Sequence, residues 1–155
     1  MEPANRIIAI GSPHGDDQVA WRLIERLGGC GDLPATLVAL RDPSGLHGHM
    51  DGCDRLVILD ACCGAGPPGT VIRLEWPDES IQHRLARGTH GMGVWEVLQL
   101  EQELGRLPAR VVILAVELSA AQPGGSLSDE VEAALTDLEA QVLQELQDPC
   151  ASPRS

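Results

Sequence analysis

The chain has 155 residues, a formal charge of −12, no lysine, no phenylalanine or tyrosine and three tryptophans. That length suits one domain built on a Leu, Val, Ile and Ala core. The acidic balance excludes nucleic-acid binding, which takes clustered Lys and Arg, and leaves room for a basic or neutral protein partner. No apolar run reaches the length of a membrane span, and the first residues, MEPANR, lack a signal peptide's basic start and apolar middle. A cytoplasmic monomer is therefore expected.

In chain order, residues 6–10 (RIIAI) read as a strand buried on both faces, because the apolar residues are consecutive rather than alternating. Gly11, Pro13 and Gly15 break regular structure. Val19, Leu23, Ile24 and Leu27 then recur at helical spacing, which predicts a helix over 17–27 with Asp16 as its N-cap. If Asp16 only caps, Asn can replace it. Residues 35–40 (ATLVAL) supply a second strand and complete a βαβ unit with a right-handed crossover. The loop after it, with Asp42, His47 and His49, has too many Gly, Pro and Asp for more than a short helical turn. Residues 55–60 (RLVILD) are a third strand that ends on Asp60.

Only the nine residues ACCGAGPPG separate Asp60 from the next apolar run, 70–74. A parallel crossover takes about a dozen or more, so the fourth strand is expected to be antiparallel. A short turn through Ile81 and Leu85 follows, and RGTHGMG carries His90 in a glycine-flanked loop ahead of a helix opening just after Gly93. Residues 110–116 (RVVILAV) form the fifth and most hydrophobic strand, ending at Glu117. Ser128 then caps a long helix whose Val131, Leu135, Leu138, Val142 and Leu146 make an apolar stripe. The segment 148–155 reads as a flexible tail of this single domain, 1–155. The five cysteines, Cys30, Cys53, Cys62, Cys63 and Cys150, show no CxxC spacing, so reduced thiols are expected.

Asp17 after the first strand, Asp60 at the end of the third and His90 before a helix form a candidate constellation of two oxygens and one nitrogen. With strand two on the outer side of strand one, both aspartates fall at the topological switch point on the sheet's carboxyl edge. Three ligands with open positions suit a catalytic or substrate-contacting metal. Simpler roles exist for each: Asp17 complements a helix dipole, Asp60 hydrogen-bonds nearby amides, and His14, His47 and His49 compete with His90 as donors.

The chain resembles the hydrogenase maturation endopeptidases, which trim the C-terminal extension from the large subunit of nickel-iron hydrogenases. The resemblance covers most of the chain. It lies in Gly11, Ser12, Pro13, His14, Gly15 and the acidic pair Asp16–Asp17 leading into Gln18, Val19 and Ala20; in Leu59, Asp60 and Ala61; in Thr89, His90 and Gly91; and in Leu127, Ser128 and Asp129. Ser12 stands where Asn is usual, and Gln18 and Ala20 where glycines flank the helix start. The resemblance implies a three-layer α/β/α sandwich with a mixed five-stranded sheet, one strand antiparallel (phosphorylase/hydrolase-like). It also implies that Asp17, Asp60 and His90 are at once the metal ligands and the catalytic residues.

No Gly-x-Ser-x-Gly elbow or HExxH helix supplies a nucleophile or a resident zinc. The family expectation is that nickel, already held by the hydrogenase large-subunit precursor, arrives with the substrate. Cys62 and Cys63 read as idle thiols rather than nickel ligands or nucleophiles. Two alternatives use the same residues: a nickel-binding maturation chaperone without peptidase activity, and a nucleotide-binding α/β module. The second is disfavoured because two carboxylates at the helix start repel an anion.

Overall fold

The computed structural model describes residues 4–85, 92–119 and 125–148. The tail expected after Asp148 and the His90 loop lie outside these residues. One five-stranded sheet runs in the order β2-β1-β3-β5-β4. Its strands are β1 (Asn5–Ile10), β2 (Thr36–Leu40), β3 (Arg55–Cys62), β4 (Val71–Glu75) and β5 (Arg110–Glu117). β1 pairs parallel with β2 and β3, β3 pairs parallel with β5, and β4 alone is antiparallel, against β5. The connection-length argument is borne out, with β4 shifted by one residue from 70–74.

The consecutive apolar residues of β1, β3 and β5 make sense because each face of the sheet is covered. On one face α1 (Val19–Gly28) and α4 (Asp129–Gln147) pack against Ile7, Ala9, Val57, Leu59, Val112 and Leu114. On the other, α2 (Ile81–Arg84), α3 (Val94–Glu103) and a 3-10 segment (Pro43–His49) cover Ile8, Ile10, Leu56, Ile58, Val111 and Ile113. This is the three-layer α/β/α sandwich. Each such aliphatic side chain, fully buried, contributes about 1.5–3 kcal/mol relative to exposure.

Helix ends follow local chemistry. Ser128 caps α4 as expected, its Oγ accepting from the Val131 N–H at 3.4 Å, with Asp129, Glu130 and Glu132 in the first turn where the helix dipole favours acid. Asp42 caps the 3-10 segment by accepting from the Ser44 N–H at 2.8 Å. Gly69, with φ +90°, lets the loop before β4 press on α4, where a Cβ would lie 2.5 Å from the Glu130 carbonyl oxygen.

Two sequence expectations are corrected. The helix does not start at Asp17, nor does Asp16 cap it: residues Gly15–Gln18 form a 3-10 turn, α1 begins at Val19, and its N-cap, Gln18, makes no side-chain cap bond. The Asp16 carboxylate is drawn instead to donors from the far end of the chain. β3 does not stop at Asp60 either; it continues to Cys62, because Asp60, Ala61 and Cys62 pair with Ala115, Val116 and Glu117 of β5.

Candidate active site

The carboxyl ends of β1 and β3 lie side by side, with Ala9 opposite Leu59. The chain leaves β1 through Gly11, where a Cβ would come within 2.5 Å of the Asp17 carbonyl oxygen. Only glycine fits that approach. The Ser12 N–H donates to the same oxygen at 3.1 Å, and the Asp17 N–H donates to the His14 carbonyl at 3.0 Å. The 3-10 turn is thereby folded back on β1, with Asp17 half-buried in the lining of a cleft of about 410 Å³. Ala61, Cys62, Cys63, Arg84, Glu117 and Leu118 form the rest of that lining.

Asp60 is buried, 2 % exposed, next to that cleft, and its Oδ1 accepts from the Ala61 N–H at 2.7 Å. By strand alternation it shares a face with Ile58 and Cys62, the face covered by α3. Asp17 and Asp60 are therefore brought to one sheet edge, as the strand order requires. Among the described residues no three His, Cys, Asp or Glu side chains cluster as metal ligands; His90 is not among them. His47 is committed elsewhere, its Nδ1 lying 2.6 Å from Glu101 Oε1, and His49 belongs to the same 3-10 segment.

Asp16, adjacent to Asp17, has its own partners. Its Oδ1 accepts from the Ser128 N–H at 2.6 Å, and its Oδ2 accepts from Ser119 Oγ at 2.7 Å, Ser128 Oγ at 2.9 Å and the Ser119 N–H at 3.1 Å. Burial pushes the Asp16 carboxyl up, but these four donors outweigh it and hold the group below its ordinary range. Gln18 continues the same tie, its Nε2 donating to the Gly125 carbonyl at 2.7 Å.

Glu117 and Arg84 were missed as site residues. Glu117 ends β5 beside Cys62, and its Oε1 accepts from the N–H groups of Ala65 at 2.7 Å and Gly66 at 3.3 Å, which orders the turn after β3. A third strand-end acid was the available signal. Arg84 donates to the Gly64 carbonyl at 3.0 Å and is the cation in the lining; nothing in its local sequence marked it. Cys30, Cys53, Cys62 and Cys63 are free thiols. Burial, with Glu117 next, pushes the Cys62 thiol up to about 12, so it is protonated at neutral pH.

A family model described as hydrogenase maturation protease matches residues 42–145. The chain belongs to the hydrogenase maturation protease family. The hydrogenase expression/formation protein HoxM of Cupriavidus necator is 34% identical over 93 residues, which cover 57% of this chain and 45% of HoxM; the chain thus matches about half the length of that relative. The fold is shared with the hydrogenase maturating endopeptidase HybD from E. coli, at a TM-score of 0.78 and 24% identity, over 93% of this chain and 92% of that one. It is shared as well with the NiFe hydrogenase maturation protease HybD from Thermococcus kodakarensis, at 0.74 and 22%, over 93% and 99%.

Proposed function

We propose that this protease family member is an endopeptidase that removes the C-terminal extension of a nickel-iron hydrogenase large-subunit precursor once nickel has been inserted. Asp17, Asp60 and His90 would engage the nickel that the precursor carries. The observation that carries this reading is the placement of Asp17, in the cleft lining, and buried Asp60, next to the lining residue Ala61, at the carboxyl ends of the neighbouring strands β1 and β3, in a chain of this family. Two carboxylates and an imidazole are a donor set suited to a divalent transition ion. Nickel held by the substrate supplies Lewis acidity near the scissile bond. The protein's own share is to bind and orient: Gly11 and the Ser12 N–H hold the Asp17 backbone, the Ala61 N–H holds Asp60, and Arg84 and Glu117 bound the cleft into which the extension lies.

The test is incubation with purified large-subunit precursor in nickel-loaded and nickel-free forms, followed by gel mobility and intact-mass analysis. Loss of the extension from the loaded form alone is expected. Nickel transfer or retention without shortening would replace this reading with a maturation chaperone.

A further inference from the structure

Within the proposed function, and resting on its assignment of Asp17, we infer that Asp16 is a positioning residue for Asp17: its carboxylate fastens the turn bearing Asp17 to both ends of the connection between β5 and α4. Ser119 lies just past β5, Ser128 caps α4, and Asp16 receives both their backbone N–H groups and both their hydroxyls. Gln18, two residues on, holds the Gly125 carbonyl in the same connection. The turn is only Gly15–Gln18, and its α1-side boundary carries no side-chain cap. Side-chain capping therefore does not fix it; besides the local backbone bonds to Ser12 and His14, the bonds from Asp16 and Gln18 across the chain tie it to the rest of the fold.

The chemistry is selective for a carboxylate. Ionised Asp is acceptor-only, and four donors converge on its two oxygens here. An amide offers one acceptor oxygen. With that oxygen kept on the three donors at Oδ2, its NH₂ would face the Ser128 N–H, and the flipped amide would leave both Ser119 donors and the Ser128 hydroxyl against NH₂. The expectation that Asn substitutes silently at position 16 is thus reversed. Asp17 shares the four-residue turn with Asp16, and its N–H and carbonyl bond within the loop, to His14 and Ser12, so a turn released from the β5–α4 connection shifts as a unit and carries Asp17 with it relative to Asp60.

The experiment compares full-length wild type, Asp16→Asn, the milder Ser119→Ala, and Val142→Ala as a destabilised control buried between α4 and the sheet. In Asp16→Asn, kcat on nickel-loaded precursor should fall at least about tenfold, and by more than KM rises, because misplacing a catalytic group spoils reacting geometry while remote contacts survive. Amide hydrogen exchange at Ser12 and Asp17 should speed up at least about tenfold in Asp16→Asn and stay at the wild-type rate in Val142→Ala. Ser119→Ala, which removes one hydroxyl donor, should shift both readouts the same way by about two- to fivefold, and decides the matter if Asp16→Asn does not fold. Asp16→Asn matching Val142→Ala in kcat or in exchange overturns the inference. A wild type that cleaves no precursor overturns the proposed function instead; the exchange comparison then decides the role of Asp16 alone, with unchanged rates overturning it.

Discussion

The two edges of the sheet handle charge in opposite ways. At the amino edge, charges are consumed by the fold. Arg55, 1 % exposed, donates to the carbonyls of Glu145 and Asp148 at the end of α4, where a cation offsets the helix dipole. Arg6 donates to the His49 carbonyl, Asp54 accepts from the Ala4 N–H, and Arg110 pairs with Glu75. In the last turn of α3, buried Glu101 is held by Arg106 through two bonds of 2.9 Å and by His47 at 2.6 Å. At the carboxyl edge, Asp17 and Glu117 line a cleft in which Arg84 is the cation, and buried Asp60 precedes the lining residue Ala61. At the amino edge Glu75 and Glu101 pair with arginines inside the fold; at the carboxyl edge Asp17 and Glu117 face a cleft that a ligand can enter. The contrast separates structure from function more sharply than burial does, since Asp60 and Glu101 are both buried.

The largest effects should come from breaking the carboxyl edge. Asp17→Asn, Asp60→Asn and His90→Ala should each lower cleavage of nickel-loaded precursor by at least about 100-fold, read as retention of the C-terminal extension on gels. The folded state should survive by circular dichroism, with one difference among them. Asp60 lies within β3 rather than on an exposed loop and accepts from Ala61, so Asp60→Asn should lower stability by about 1 kcal/mol. Next in size is Gly11→Ala. Its Cβ, 2.5 Å from the Asp17 carbonyl, should displace the turn, cutting activity about tenfold and stability by about 1–3 kcal/mol, measured by kinetics and urea unfolding on the same sample.

The amino edge should show the converse, a stability effect without an activity effect. Glu101→Gln should cost about 1–3 kcal/mol in urea unfolding, because an amide cannot accept from Arg106 and His47 as the carboxylate does. Its pH dependence has a definite sign. Arg106, with help from His47 and against burial, holds Glu101 below its ordinary carboxylate value. The unfolded chain therefore takes up this proton at a higher pH than the folded one. The stabilisation is complete above the ordinary carboxylate range and is lost as pH falls through the lowered folded value. The wild-type advantage over Glu101→Gln should shrink along that acid limb. The smallest effect belongs to Cys63, exposed, its thiol donating among the described residues to the carbonyls of His83 and Arg84. Cys63→Ser should keep cleavage within about twofold, since no step of the proposed chemistry uses the thiol.

How far these edges were legible in the sequence depended on the range of the interactions. The strands were readable because β1, β3 and β5 are buried on both faces and so run apolar without alternation, and the antiparallel β4 followed from a connection too short to cross over. Asp17 and Asp60 were readable as acids near the carboxyl ends of strands whose order puts them at a switch point. Asp16 was misread because its partners, Ser119 and Ser128, are more than 100 residues away, and a capping rule sees only the next few positions. Arg84 was invisible for a similar reason: its place in the cleft comes from the fold of the 63–84 segment, where its carbonyl accepts from the Cys63 N–H. Pairwise contacts of long sequence separation, not elements, carried the information that pattern reading lacked.

The most direct measurement sets one acid from each edge side by side: Asp17→Asn and Glu101→Gln, assayed with wild type on the same nickel-loaded precursor at a temperature where all three are folded. Asp17→Asn should retain about 1% of wild-type cleavage or less, while Glu101→Gln stays within about twofold of wild type. Cleavage by Asp17→Asn at the wild-type rate, or equal loss in both variants, would contradict the division of charge between the two edges.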